Sequence, residues 1–66
     1  MTVYRGILHD TYTDEDGKEI AYEDMVIAYR EGEVYHCVSV PEYSTFDMAK
    51  GEILDKVTDF HAVFDN

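Results

Sequence analysis

Three segments of extended character fill most of the first forty positions, and the third alternates clearly between apolar and polar residues. The segment Val3–Thr13 is dense in β-branched and aromatic residues, which suit a pleated strand. The following run, Asp14-Glu15-Asp16-Gly17-Lys18-Glu19, holds an Asp-Gly pair, a strong hairpin signal. A two-residue turn at Asp16-Gly17 would set Glu15 opposite Lys18. A second strand is predicted through Ile20–Tyr22 and Met25–Tyr29, with a bend or bulge at Glu23-Asp24. A turn at Glu31-Gly32 leads to a third strand, Val34–Val40. There Val34, His36, Val38 and Val40 share one face, and Tyr35, Cys37 and Ser39 share the other. The register puts Met25, Ile27 and Tyr29 beside the valines, and this is the expected core face. Pro41 ends the strand because it has no N–H for the ladder.

Beyond Pro41 the spacing reads as helical. Ser44 is an N-cap candidate, and Asp47 three residues on resembles a capping box. Phe46, Ala49, Ile53, Val57, Phe60 and Phe64 recur at intervals of three and four, as an apolar stripe does. Glu52, Asp55 and Asp59 would line the opposite face. Gly51 costs about 1 kcal/mol inside a helix and marks a kink or break. The predicted fold class is α+β: a three-stranded antiparallel meander with one C-terminal amphipathic helix on one face, in the order β-β-β-α.

Size narrows the functions such a chain can carry. Its 66 residues make one domain. A domain of this length buries about 60% of the surface its unfolded chain exposes. A catalytic cleft between lobes has no room to form. The single cysteine, Cys37, rules out an internal disulfide and reads as a small buried hydrophobe. No apolar run approaches the length of a membrane span, and Met1–Arg5 lacks the apolar core of a signal peptide. The expected location is the cytoplasm, that of the host cell if the chain is phage-encoded.

Candidate chemistry is sparse. Asp14, Asp16 and Gly17, with Glu23, match a calcium loop only in part, and they sit between strands rather than helices. His36 and Cys37 are adjacent in a strand and point to opposite faces, so they do not start a zinc site. Cys37 has no oriented base in sequence, and no phosphate-cradling glycine loop or nucleophile elbow is present. The expectation is a non-enzyme without metal or cofactor.

Charge carries more information. Fifteen acids against five Lys and Arg give a net charge of −10. That balance opposes direct binding to nucleic acid or anionic membranes, and it favours a basic partner. Seven acids fall between positions 10 and 24: Asp10, Asp14, Glu15, Asp16, Glu19, Glu23 and Asp24. Lys18 is the one Lys or Arg among them. Alternate strand residues repeat at about 6.7 Å, a spacing broadly comparable with successive phosphates of a nucleic-acid strand. Glu52, Asp55 and Asp59 would add a second row. Tyr12 and Tyr22 lie within the acidic segment, and tyrosine is enriched at interface hot spots.

In size, charge, lone Cys37 and acidic hairpin beside an amphipathic helix, the chain resembles small acidic phage proteins directed against host defences, the anti-CRISPR proteins and other DNA mimics. The resemblance covers the whole chain as a type and rests on no specific motif. It implies an inhibitor that occupies the basic nucleic-acid-binding groove of a host protein or complex. The alternative is an antitoxin or adaptor that binds protein without mimicry. Either would be a monomer or, through a self-pairing edge strand, a homodimer.

Overall fold

The computed structural model describes residues 1–65. It has five strands and one short helix: β1 (Thr2–Thr13), β2 (Glu19–Glu31), β3 (Val34–Val40), β4 (Thr45–Ala49), α1 (Lys50–Lys56) and β5 (Val57–Asp65). One antiparallel sheet holds all the strands in the order β4-β3-β2-β1-β5. The first four strands form a meander. The helix then carries the chain across to the far edge, where β5 pairs with β1.

This corrects the three-stranded meander with a long covering helix. The segment Thr45–Ala49 is a strand, and its inward residues Phe46 and Met48 are two apart, not three or four. The segment Val57–Asp65 is also a strand, as its density of β-branched and aromatic residues favours. Only Lys50–Lys56 is helical, and its N-cap is Ala49 rather than Ser44. The Ala49 methyl group offers no acceptor, but Glu52 reaches back to accept from the Ala49 N–H at 3.3 Å. Two turns also differ from expectation. In the first hairpin Gly17 N–H donates to Asp14 C=O at 3.1 Å and Asp14 N–H to Lys18 C=O at 2.8 Å. The loop is therefore Glu15-Asp16-Gly17, with Gly17 left-handed at φ 80°. The second turn is Gly32-Glu33, because Glu31 pairs with Val34.

The core lies on the face opposite to the expected one. Leu8, Val26, Ala28, Tyr35, Cys37, Met48, Ile53 and Val57 are buried together. Met25, Ile27, Tyr29, Val34, His36, Val38 and Val40 do share a face, but it is the outer one, and they are half-buried or exposed there. Curling of the sheet explains the choice. Tyr35 on β3 and Phe60 on β5 are three strand spacings apart, about 14 Å in a flat sheet. Their rings nevertheless meet edge-on with centroids 5.5 Å apart. Phe60 also stacks on Tyr4 at 4.9 Å and 10°. The sheet therefore bends into a half-barrel, closed on its concave side by aromatic rings. Long Tyr35 reaches across that interior, while small Cys37 and Ser39 leave room for it. Two register shifts between β1 and β5 contribute to the curl, since a bulge locally increases twist.

Candidate binding surface

The hairpin strands outrun their neighbours. Pairing of β1 with β5 ends at Leu8–Val57, and pairing of β2 with β3 ends at Met25–Val40. Residues 9–13 and 19–23 pair only with each other, and Asp24 sits at their base opposite Leu8. They form a two-stranded arm that extends past the half-barrel in a molecule 46 Å long and 23 by 19 Å across.

All seven acids between positions 10 and 24 belong to this arm, but they do not form one row. Asp10 and Tyr22 pair across the strands, as do Tyr12 and Ile20, and these residues continue the concave face through Leu8 and Asp24. Glu19 and Glu23 lie on the convex face with His9 and Thr11. Asp14, Glu15 and Asp16 form the tip. The Asp14 carboxylate is spent on the turn, accepting from Asp16 N–H and Lys18 N–H at 2.9 Å each. Asp10 is half-buried and pairs with Lys56 at 3.5 Å. Glu23 faces His9 at 3.3 Å, and His9 meets the Thr58 hydroxyl at 2.7 Å. Glu15, Asp16 and Glu19 are exposed.

The expected second row on the helix is not formed. Glu52 caps the helix start, and Asp55 is exposed near the arm, beside a groove that also touches Asp10 and Tyr22. Asp59 lies in β5 with φ 53° and belongs to the bulge opposite Gly6. It is remote in role from the helix face.

Tyr12 and Tyr22 come together on the concave side of the arm, with ring centroids 5.9 Å apart. They form one wall of a groove of about 410 Å³ that also includes Asp24, Ser39 and Glu42. Burial, followed by the charges of Asp10 and Asp24, pushes the Tyr22 hydroxyl above its ordinary pKa. Ser39 and Glu42 went unnoticed in the sequence. They come from β3 and the turn after it, and only the curl of the sheet brings them to the arm.

A second surface lies on the convex face. Val3, Ile27, Tyr29 and Val38 border a shallow depression of about 610 Å³, with His36 and Asp47 at one end. The His36 Nδ1 is 2.8 Å from Asp47 Oδ1, and its Nε2 is 3.2 Å from Glu31 Oε1. Hydrogen bonding to Asp47 and then to Glu31 raises the His36 pKa. Cys37 points into the core, and burial pushes its thiol up to about 11. Among the described residues no cluster of three His, Cys, Asp or Glu side chains could hold a metal ion. No helix among them is long and apolar enough to cross a membrane.

The chain matches no family model, no curated protein and no solved structure.

Proposed function

We propose that this protein is an acidic inhibitor that inserts its β1–β2 arm into the basic nucleic-acid-binding groove of a host protein or defence complex, in the manner of a DNA mimic. The supporting observation is the projecting β1–β2 hairpin, whose residues 10–24 bear seven carboxylates and only one Lys or Arg. Carboxylates on both faces and at the tip suit a narrow basic cleft better than a flat surface. Exposed Tyr12 supplies an apolar contact at the arm's centre. Long-range attraction would steer the encounter and weaken as salt screens it.

The test is capture on the immobilised chain, followed by elution. Basic nucleic-acid-binding proteins should be retained, then released by salt and by double-stranded DNA. Retention of neutral or acidic proteins alone would end this reading. The triple variant Glu15→Lys, Asp16→Lys, Glu19→Lys leaves the turn carboxylate of Asp14 intact and should abolish capture.

The convex apolar depression favours a second reading, an antitoxin or adaptor module that binds protein without mimicry. Contact through Val3, Ile27 and Val38 would be nearly independent of salt. In that case Ile27→Glu, rather than reversal of arm charges, would remove binding.

A further inference from the structure

The groove between the arm and the β3–β4 turn has a composition that the acidity of the arm does not explain. Leu8 and Phe46 give it an apolar floor, and the Tyr12 and Tyr22 rings stand along one side. Asp24 and Glu42 also line it, and neither takes part in an ion pair among the described residues. Lys56, whose charge acts on Tyr22, is engaged by Asp10.

Ser39 supplies an independent observation. It is only 4% exposed and is the one buried polar residue among those described. Its backbone N–H donates to Ser44 C=O and its C=O accepts from Tyr43 N–H, at 2.9 and 2.8 Å. Its hydroxyl has no hydrogen-bond partner among the described residues. The atom is not sealed off from solvent, and Ser39 lines this groove. A nearly buried hydroxyl left open to a cavity is a position that a ligand's polar group would satisfy.

We infer that this groove is a receptor for an arginine side chain presented by the basic partner. The aliphatic stem would lie on Leu8 and Phe46. The planar guanidinium would stack against a tyrosine ring and donate to Asp24, Glu42 and the Ser39 hydroxyl. Its five N–H donors in a flat fork suit several separate acceptors, whereas a lysine ammonium offers a single charged point. Burial is the first cause of the raised Tyr22 pKa, and the charges of Asp10 and Asp24 add to it, with Lys56 opposing and Glu42 contributing least. This inference rests on the proposed basic partner and adds the residue that anchors it.

Titration of the isotopically labelled protein with a capped Gly-Arg-Gly peptide, followed by amide chemical shifts, tests the site directly. Saturable shifts are expected at Tyr22, Asp24, Ser39 and Glu42, with a dissociation constant in the millimolar range. A peptide with neutral citrulline should leave them unmoved, and Gly-Lys-Gly should bind several-fold more weakly. Glu42→Gln changes only an exposed turn residue and should weaken arginine binding at least threefold, as should Ser39→Ala. Non-saturating shifts spread over all the acids, an equal response to citrulline, or equal binding of lysine would overturn the inference. Glu42 is outside the arm, which separates the two readings. If a captured partner binds Glu42→Gln with unchanged affinity but loses the arm triple variant, the arm reading survives and the arginine pocket falls. If the peptide titration succeeds but no basic protein is captured, the pocket stands and the inhibitor reading falls.

Discussion

At the scale of single residues, His36 has the most defined electrostatic setting. A neutral imidazole has one N–H, yet both ring nitrogens of His36 face carboxylates, Asp47 on β4 and Glu31 on β2. Only the imidazolium can donate to both, which is why its pKa is raised, chiefly by Asp47 and then by Glu31. The folded-state pKa therefore lies above the unfolded value, which is ordinarily about 6.5. The resulting stabilisation is fully present below that unfolded value. It is lost as pH rises through the folded pKa, because the folded chain then holds the proton more tightly than the unfolded one. Stability measured by urea unfolding should accordingly decline from about pH 6.5 upward. His36→Gln should flatten that decline relative to the parent, with general charge repulsion common to both. An unchanged slope in the variant would mean that His36 contributes nothing to the pH dependence.

The strands and helix show where sequence spacing misleads. Phe46, Ile53, Val57 and Phe60 have the spacing of a helical stripe, and all four do pack into the core, but from β4, α1 and β5. A spacing of three or four cannot separate these arrangements when the chain changes element between the residues. The discriminating signal was Met48, two residues from Phe46, together with the β-forming density of Val57–Phe64. Gly51 marks no break, since it is the second residue of a seven-residue helix that runs from Lys50 to Lys56. The outer face of β3 is more apolar in composition than its inner face, so composition points to the wrong side of the strand. The hairpin is legible from Asp16-Gly17 and the acids flanking it, since local turn chemistry and composition suffice there, but its three-residue loop and its extension past β3 and β5 are not. Ser39 and Glu42 were not, because their place beside Tyr22 depends on closure of the half-barrel.

That closure turns on Gly6. It lies where β5 has one more residue than β1, between the pairs Arg5–His61 and Ile7–Thr58. A Cβ there would stand 2.5 Å from Val57 Cγ1, 3.0 Å from Phe60 Cδ1 and 3.2 Å from the Thr58 carbonyl oxygen. The carbonyl is backbone, and both side chains belong to the packed interior, so none yields cheaply. Gly6→Ala should destabilise the fold by about 1–3 kcal/mol, the range for overpacking a core. Equilibrium urea unfolding would read this as a lowered midpoint with an unchanged slope. A midpoint within error of the parent would show that β5 is not held against β1 in this way.

On the scale of the whole molecule, the acidity that suits a basic partner opposes the folded state. A net charge of −10 is spread over 66 residues, and Lys56–Asp10 is the one Lys or Arg ion pair among those described. Repulsion therefore outweighs attraction between fixed charges, most of all along the arm, where two strands stand without flanking pairs. Added salt screens both, so its net effect on the fold should be stabilising. If relief of repulsion amounts to about 1 kcal/mol, the thermal midpoint should rise by roughly 4–8 °C for a domain of this size. Thermal melts in 20 mM and 500 mM sodium chloride would measure it. The triple variant Glu15→Lys, Asp16→Lys, Glu19→Lys changes the net charge by +6, from −10 to −4, and its melting should respond less to salt. Partner binding should have the opposite sign, weakening over the same salt range. A parent protein that melted at the same temperature in both salts would show that its carboxylates do not strain the fold, and the arm's charge would then carry no stability cost for a basic partner to relieve.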